Sequence, residues 1–184
     1  MFRLTNSKFS VKQLSFCAIF VAIMAICSWI SIPTTIPFTL QTFGVFLAVG
    51  LLGGKLGTIA VSVYVLLGAI GIPVFQGFTG GLGIISGTTG GYIVGFIFFA
   101  LVMWLIQHFF GKGLIVMTIS MILGLLVCYA IGTIWFMAVY TRDTGAIGLS
   151  AVLGWCVVPF IIPDVVKMVC AVIIINRLKK YVHI

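Results

Sequence analysis

The chain has 184 residues, of which 62% are hydrophobic and only 7% charged, against about 25% charged in an ordinary soluble domain. So few charges cannot cover a water-exposed surface, and the long apolar runs do not alternate as the strands of a membrane β-barrel must. A net charge of +8 would suggest nucleic acid in a soluble protein, but these positives sit at the ends and in short turns, where they set orientation in a membrane and imply no nucleic-acid partner.

Apolar runs broken by Gly, Pro and short polar turns predict an all-α polytopic membrane protein with six transmembrane helices, forming one membrane-embedded domain over residues 1–184. The first helix is predicted over Val11–Ile30; its run continues to Ile32 with no small-residue cleavage pattern, so it reads as a membrane helix and not a signal peptide. Within it, Ala18 and Ala22 are small residues four apart, suited to close packing with another helix of this chain or of a partner. The second and third segments, Thr39–Leu52 and Gly57–Ile70, offer about 14 residues each, short of the roughly 20 that a full span needs. The fourth is predicted over Gly91–Gln107, the fifth over Leu114–Val139 and the sixth over Ser150–Arg177.

If these helices alternate across the bilayer, Arg3, Lys8, Lys12, Lys55, Lys112, Arg177, Lys179 and Lys180 share one side and only Arg142, beside Asp143, marks the other. That bias predicts cytoplasmic N- and C-termini. The opposite loops are longer: Ser31–Phe38 with Pro33 and Pro37, the glycine-rich Ile72–Gly90, and Tyr140–Leu149. Their Phe and Ile content argues for a folded outer cap.

Two charges stand where charge is expensive. Asp164 and Lys167 lie inside an apolar stretch, and their i, i+3 spacing puts them on one helix face. Pro163 fits a first helical position, which would place Asp164 in the first turn, favoured by the helix dipole. The pair reads either as an anchor for a ligand carrying donors and acceptors or as a self-satisfied strut. The run Gly77–Tyr92 leads into the fourth helix; its glycines allow close approach to a ligand, and equally the Gly-x-x-x-Gly pairs Gly87–Gly91 and Gly91–Gly95 allow helix packing. Gln41, in Pro37–Thr42, is a two-way hydrogen bonder that can serve packing or ligand.

Five cysteines, at 17, 27, 128, 156 and 170, lie in apolar segments without a Cys-x-x-Cys and read as packing thiols. The chain has no Glu, no His-Glu-x-x-His and no Gly-x-Ser-x-Gly, so neither an enzyme nor a cofactor is expected. From the residues alone, the rival to a ligand-capturing subunit is a self-sufficient proton-coupled carrier with Asp164 as its proton site.

Four segments in order, Pro37–Thr42, Gly68–Phe78, Gly80–Tyr92 and Pro159–Lys167, resemble those of the BioY family, the biotin-specific S components of energy-coupling factor (ECF) transporters. The chain departs at Thr88, where the family pattern has Pro. The resemblance implies a multi-pass protein of a prokaryotic cell membrane with a pocket near the outer face. It implies capture of biotin there and ATP-dependent import with a transmembrane coupling subunit and two cytosolic ATPases, with Ala18 and Ala22 as the docking surface. It also implies that Asp164 accepts from the ureido N–H groups, while Lys167 donates to the ureido carbonyl or the valerate carboxylate. Ser86, Gln41 and Gly83 would complete the polar set, and Tyr92, Phe38 and Trp135 would pack on the rings and thioether.

Overall fold

The computed structural model describes residues 9–32 and 38–181. Arg3, Lys8, Pro33 and Pro37, used above for orientation and loop character, lie outside the described residues. The described chain is helical apart from one two-residue strand pair. Its main helices are α1 (Val11–Trp29), α2 (Gln41–Leu52), α3 (Gly54–Ala69), α5 (Gly90–Phe110), α6 (Leu114–Asp143) and α8 (Val158–Leu178). Two shorter ones intervene, α4 (Leu82–Ser86) and α7 (Leu149–Cys156). Strands β1 (Ser31–Ile32) and β2 (Phe38–Thr39) pair antiparallel between α1 and α2.

By length and composition, α1, α5, α6 and the continuous stretch Leu149–Leu178 are apolar enough to cross a membrane. The two helices α2 and α3 are shorter, at 12 and 16 residues. At 1.5 Å per residue, α2 covers roughly 18 Å, well under a hydrocarbon core of about 30 Å. Its burial explains the shortfall: nine of its residues, from Gln41 to Leu52, are buried, because α1, α3, α5 and α8 surround it. A helix apolar on every side belongs inside a bundle. Large apolar side chains cover the outside instead, among them Ile19, Ile26, Leu66, Leu105, Ile122, Ile134, Val166 and Ile173, as a lipid solvent requires.

The most extensive helix pair is α5 with α6, and glycines permit it. A Cβ on Gly91 would come within 2.1 Å of the Trp135 Cβ, and one on Gly132 within 2.2 Å of the Tyr92 ring. Gly95 likewise faces Cys128, and Gly124 faces Phe99. The Gly91–Gly95 spacing therefore serves helix packing.

Several boundaries differ from the sequence-based expectation. The sixth segment is two helices, broken at Val157 (φ −122°, ψ −57°). Pro159 occupies the first turn of α8 and Pro163 lies inside the helix, so Asp164 sits in the second turn and the argument from a first-turn dipole fails. Proline at 163 has no N–H for the carbonyl of residue 159, so α8 lacks that bond, and its start is closed one turn earlier, where the Val157 carbonyl accepts from Phe160 (2.9 Å) and Ile161 (3.2 Å). Helix α6 extends four residues beyond Val139, to Asp143, so Arg142 and Asp143 close a helix and do not occupy a loop. Lys55, expected between the second and third helices, lies in the first turn of α3. Cys17, Cys27, Cys128 and Cys156 are buried, whereas Cys170 is exposed.

Candidate ligand-binding site

Helix α8 turns Asp164, Met168, Ala171 and Ile175 inward along one stripe, the i, i+4, i+7, i+11 face of a helix. That stripe carries Asp164 to 2% exposure. Its carboxylate is held by three donors from three helices. Lys167 Nζ donates to Oδ1 at 2.8 Å, the Thr42 hydroxyl to Oδ1 at 2.8 Å, and the Tyr129 hydroxyl to Oδ2 at 2.6 Å. Lys167 Nζ also donates to Thr42 Oγ1 at 3.1 Å. A carboxylate offers about four acceptor positions and an ammonium three donors. One acceptor position on Asp164 and one donor on Lys167 thus remain, and the Lys167 side chain is the more open of the two, at 11% against 2%.

These residues line a cavity of about 340 Å³, within the usual size range of small-molecule sites. Gln41, Thr42, Tyr92, Tyr129, Asp164 and Lys167 contribute polar groups, while Phe75, Phe96, Phe160, Ile93 and Leu125 contribute apolar wall. Gln41 opens α2, with its N–H donating to Thr39 Oγ1 at 3.3 Å. Its Nε2 donates to the Tyr64 hydroxyl at 2.7 Å, and that hydroxyl donates to the Val74 carbonyl at 3.0 Å. Gln41 Oε1 makes no hydrogen bond among the described residues, which leaves a further acceptor at the wall. The loop after α3 is fixed beneath the cavity: Trp29 Nε1 donates to the Pro73 carbonyl at 3.0 Å, and Phe75 fills the space that Gly68 leaves open. Phe78, at φ +58°, stacks on Trp29 with ring centres 4.7 Å apart.

Of the eight residues expected to contact ligand, the structure brings Asp164, Lys167, Gln41 and Tyr92 to one cavity and sets the other four outside its lining. The Ser86 hydroxyl is exposed and donates back along α4 to Leu82 O at 2.9 Å. Gly83 is exposed on the same helix. Trp135 lies behind the wall, where Nε1 donates to Gly87 O at 3.1 Å and ties the glycine-rich loop to α6. Phe38 stacks on Phe160, which does line the cavity, with centres 4.4 Å apart. Ala18 and Ala22 are exposed on α1, so internal packing does not account for their spacing.

Sequence reasoning missed Tyr129 and Thr42, the two hydroxyls on Asp164. Tyr129 had a signal: Cys128, Tyr129, Gly132 and Thr133 form a stripe at helical spacing that is small or polar within an otherwise apolar helix. Thr42 lay beside Gln41 in a segment already singled out. The polar members of the site can give or accept hydrogen bonds around an apolar space. Chemically, that arrangement holds a small, largely apolar molecule with a few polar atoms at one end.

The model of the BioY family matches residues 4–184. The chain belongs to the BioY family. It is 42% identical to the biotin transporter BioY of Thermotoga maritima over 171 residues, covering 92% of this chain and 97% of that one. The probable biotin transporter BioY of Pyrococcus horikoshii is 43% identical over 169 residues, covering 91% and 96%. The BioY fold here also matches the crystal structure of the S-component for biotin from an ECF-type ABC transporter, with TM-score 0.80, 30% identity and 92% of each chain covered. Together with the apolar helices, these likenesses make this BioY chain a multi-pass membrane protein of a prokaryote.

Proposed function

We propose that this chain captures biotin in the Asp164–Lys167 cavity and delivers it for ATP-driven import with a transmembrane coupling subunit and two cytosolic ATPases. The observation that carries the reading is the residual valence of the buried pair: one acceptor position on Asp164 and one donor on Lys167, facing an otherwise largely apolar cavity. Biotin has matching chemistry, since its ureido ring presents N–H donors beside a carbonyl acceptor and its body is apolar. Lys167 donates to the ureido carbonyl or the valerate carboxylate, Asp164 and Gln41 accept N–H, and Tyr92 packs on the rings. Trp135 and Phe38 act from outside the wall, Trp135 by tying the loop at Gly87 O and Phe38 by stacking on Phe160, while Ser86 and Gly83 reach the ligand only if α4 moves toward the cavity. The names of the Thermotoga and Pyrococcus relatives support the choice of ligand.

In this reading all six long segments, with α7 and α8 as the last, complete the membrane domain. The termini are cytoplasmic and the cavity opens outward. Lys112 and the chain end after α8 are together, since Lys179 Nζ bonds Lys112 O at 2.8 Å, and they lie at the end of the bundle away from Gln41. This grouping of positive charge at the far end supports that orientation. The exposed Ala18–Ala22 face of α1 is the docking surface for the coupling subunit.

Isothermal titration of the purified chain with biotin tests the reading. Tight binding at one site per chain is expected. No heat with biotin, together with tight binding of another vitamin, would overturn the choice of ligand.

A further inference from the structure

At the end of the bundle away from the ligand cavity lies a second cavity of about 120 Å³. It is bounded by the end of α2 with the turn at Gly53, by Gln107 in the last turn of α5, by Lys112 before α6, by Met117, and by Lys179 after α8. Two observations there ask for a ligand.

The first is charge without a counter-charge. The chain has two acidic residues, Asp143 and Asp164, and both are taken, by Arg142 at 2.7 Å and Lys167 at 2.8 Å. No acidic side chain remains for Lys112 or Lys179. Lys179 Nζ donates to the Lys112 carbonyl, and Lys112 Nζ makes no hydrogen bond among the described residues. The exposed Lys112 side chain sets its ammonium beside the turn, 3.8 Å from where a Cβ on Gly53 would stand. The last carbonyls of α2 accept from neither ammonium among the described residues.

The second is Gln107. It is 7% exposed, it lines the cavity, and its side-chain amide makes no hydrogen bond among the described residues. No fully buried side-chain nitrogen or oxygen among the described residues lacks a partner, so the unbonded amide of this nearly buried residue is open to the cavity and free to bond a guest there. An amide that can present either its N–H or its oxygen and two ammonium groups therefore border one small space, beside the N-terminus of the 30-residue helix α6, whose first N–H groups favour an anion.

We propose that this cavity binds a phosphate group. At about 120 Å³ it falls below the roughly 300 Å³ at which whole small-molecule sites begin, so it suits an oxyanion headgroup and not an entire ligand. The surface beside it is apolar: Phe109, Phe110 and Ile115 are 70–76% exposed. A phosphate ester with acyl chains, an anionic phospholipid, satisfies both the cavity and this surface. A free phosphate satisfies the cavity alone.

Thermal unfolding of the full chain separates the sources. In one arm, detergent micelles are doped with dioleoylphosphatidylglycerol or dioleoylphosphatidylcholine. In the other, undoped micelles receive inorganic phosphate or chloride at equal ionic strength. Phosphatidylglycerol is expected to raise Tm above phosphatidylcholine. K112Q/K179Q should need about tenfold more of it for the same shift. Q107L, which changes no charge, should weaken the response in the same direction while unfolding normally without the lipid. K55Q/K180Q, which removes two charges outside the cavity, should respond as wild type. A shift with inorganic phosphate that K112Q/K179Q abolishes would assign the site to a soluble phosphate. Equal weakening by the two double variants, an unchanged response in Q107L, or no shift with either probe would each overturn the proposal.

Discussion

Replacing Asp164 by asparagine keeps the size of the side chain and removes its charge. In the wild type, Oδ1 accepts from Thr42 and Lys167 and Oδ2 accepts from Tyr129. An asparagine oxygen at the Oδ1 position retains the first two bonds. Its NH2 group then replaces Oδ2, and Tyr129 must turn from donor to acceptor. No acceptor remains for a ligand N–H. A hydrogen bond to a charged group contributes about 1.5–3 kcal/mol, so Asp164→Asn should weaken biotin binding roughly 10- to 150-fold at 1.4 kcal/mol per decade. Lys167 also loses its counter-charge, and Tm should fall. Titration calorimetry reads the affinity, and a stoichiometry near one site per chain in the variant shows that the folded protein is being measured. Biotin affinity equal to wild type would refute the reasoning and leave the pair as a strut.

Tyr129→Phe removes the donor that Asp164 Oδ2 has among the described residues and should lower the stability of the ligand-free chain by about 1–3 kcal/mol, read by thermal unfolding; an unchanged Tm would contradict the bond. Trp135→Phe keeps the packing on Gly91 but loses the bond to Gly87 O, so amide exchange at Gly87–Gly90 should quicken while exchange in α5 beyond Gly95 stays slow. Leucine at both Ala18 and Ala22 adds bulk only to an exposed face. It should abolish ATP-dependent uptake in vesicles containing the partner subunits and leave biotin affinity unchanged; full uptake by that variant would remove α1 as the docking face.

The long helices were legible because apolar runs bounded by Gly and Pro carry their own ends: α1 and α6 begin where expected, and α5 within one residue. Asp164 and Lys167 were legible because charge inside an apolar run has few structural uses. Their partners were not. Thr42 is 122 residues from Asp164 and Tyr129 is 35, distances that no local pattern spans. The break at Val157 was hidden inside one apolar run, and the second proline of α8 imitated a helix start because Pro159, four residues earlier, had already provided it. Ser86 entered the expected site only through the family resemblance, and its hydroxyl is spent on its own helix, an outlet open to any helical serine.

The central claim is that the buried pair serves a ligand and not only the fold. The double variant Asp164→Leu, Lys167→Met decides it most directly, because exchanging a whole buried ion pair for apolar residues is often neutral or stabilising. The variant strands the Thr42 and Tyr129 hydroxyls, so its Tm should fall by those two bonds and no more, while it loses two ligand bonds together, about 3–6 kcal/mol or roughly 10²- to 10⁴-fold in biotin affinity. A stable double variant that still binds biotin as tightly as the wild type would contradict the account.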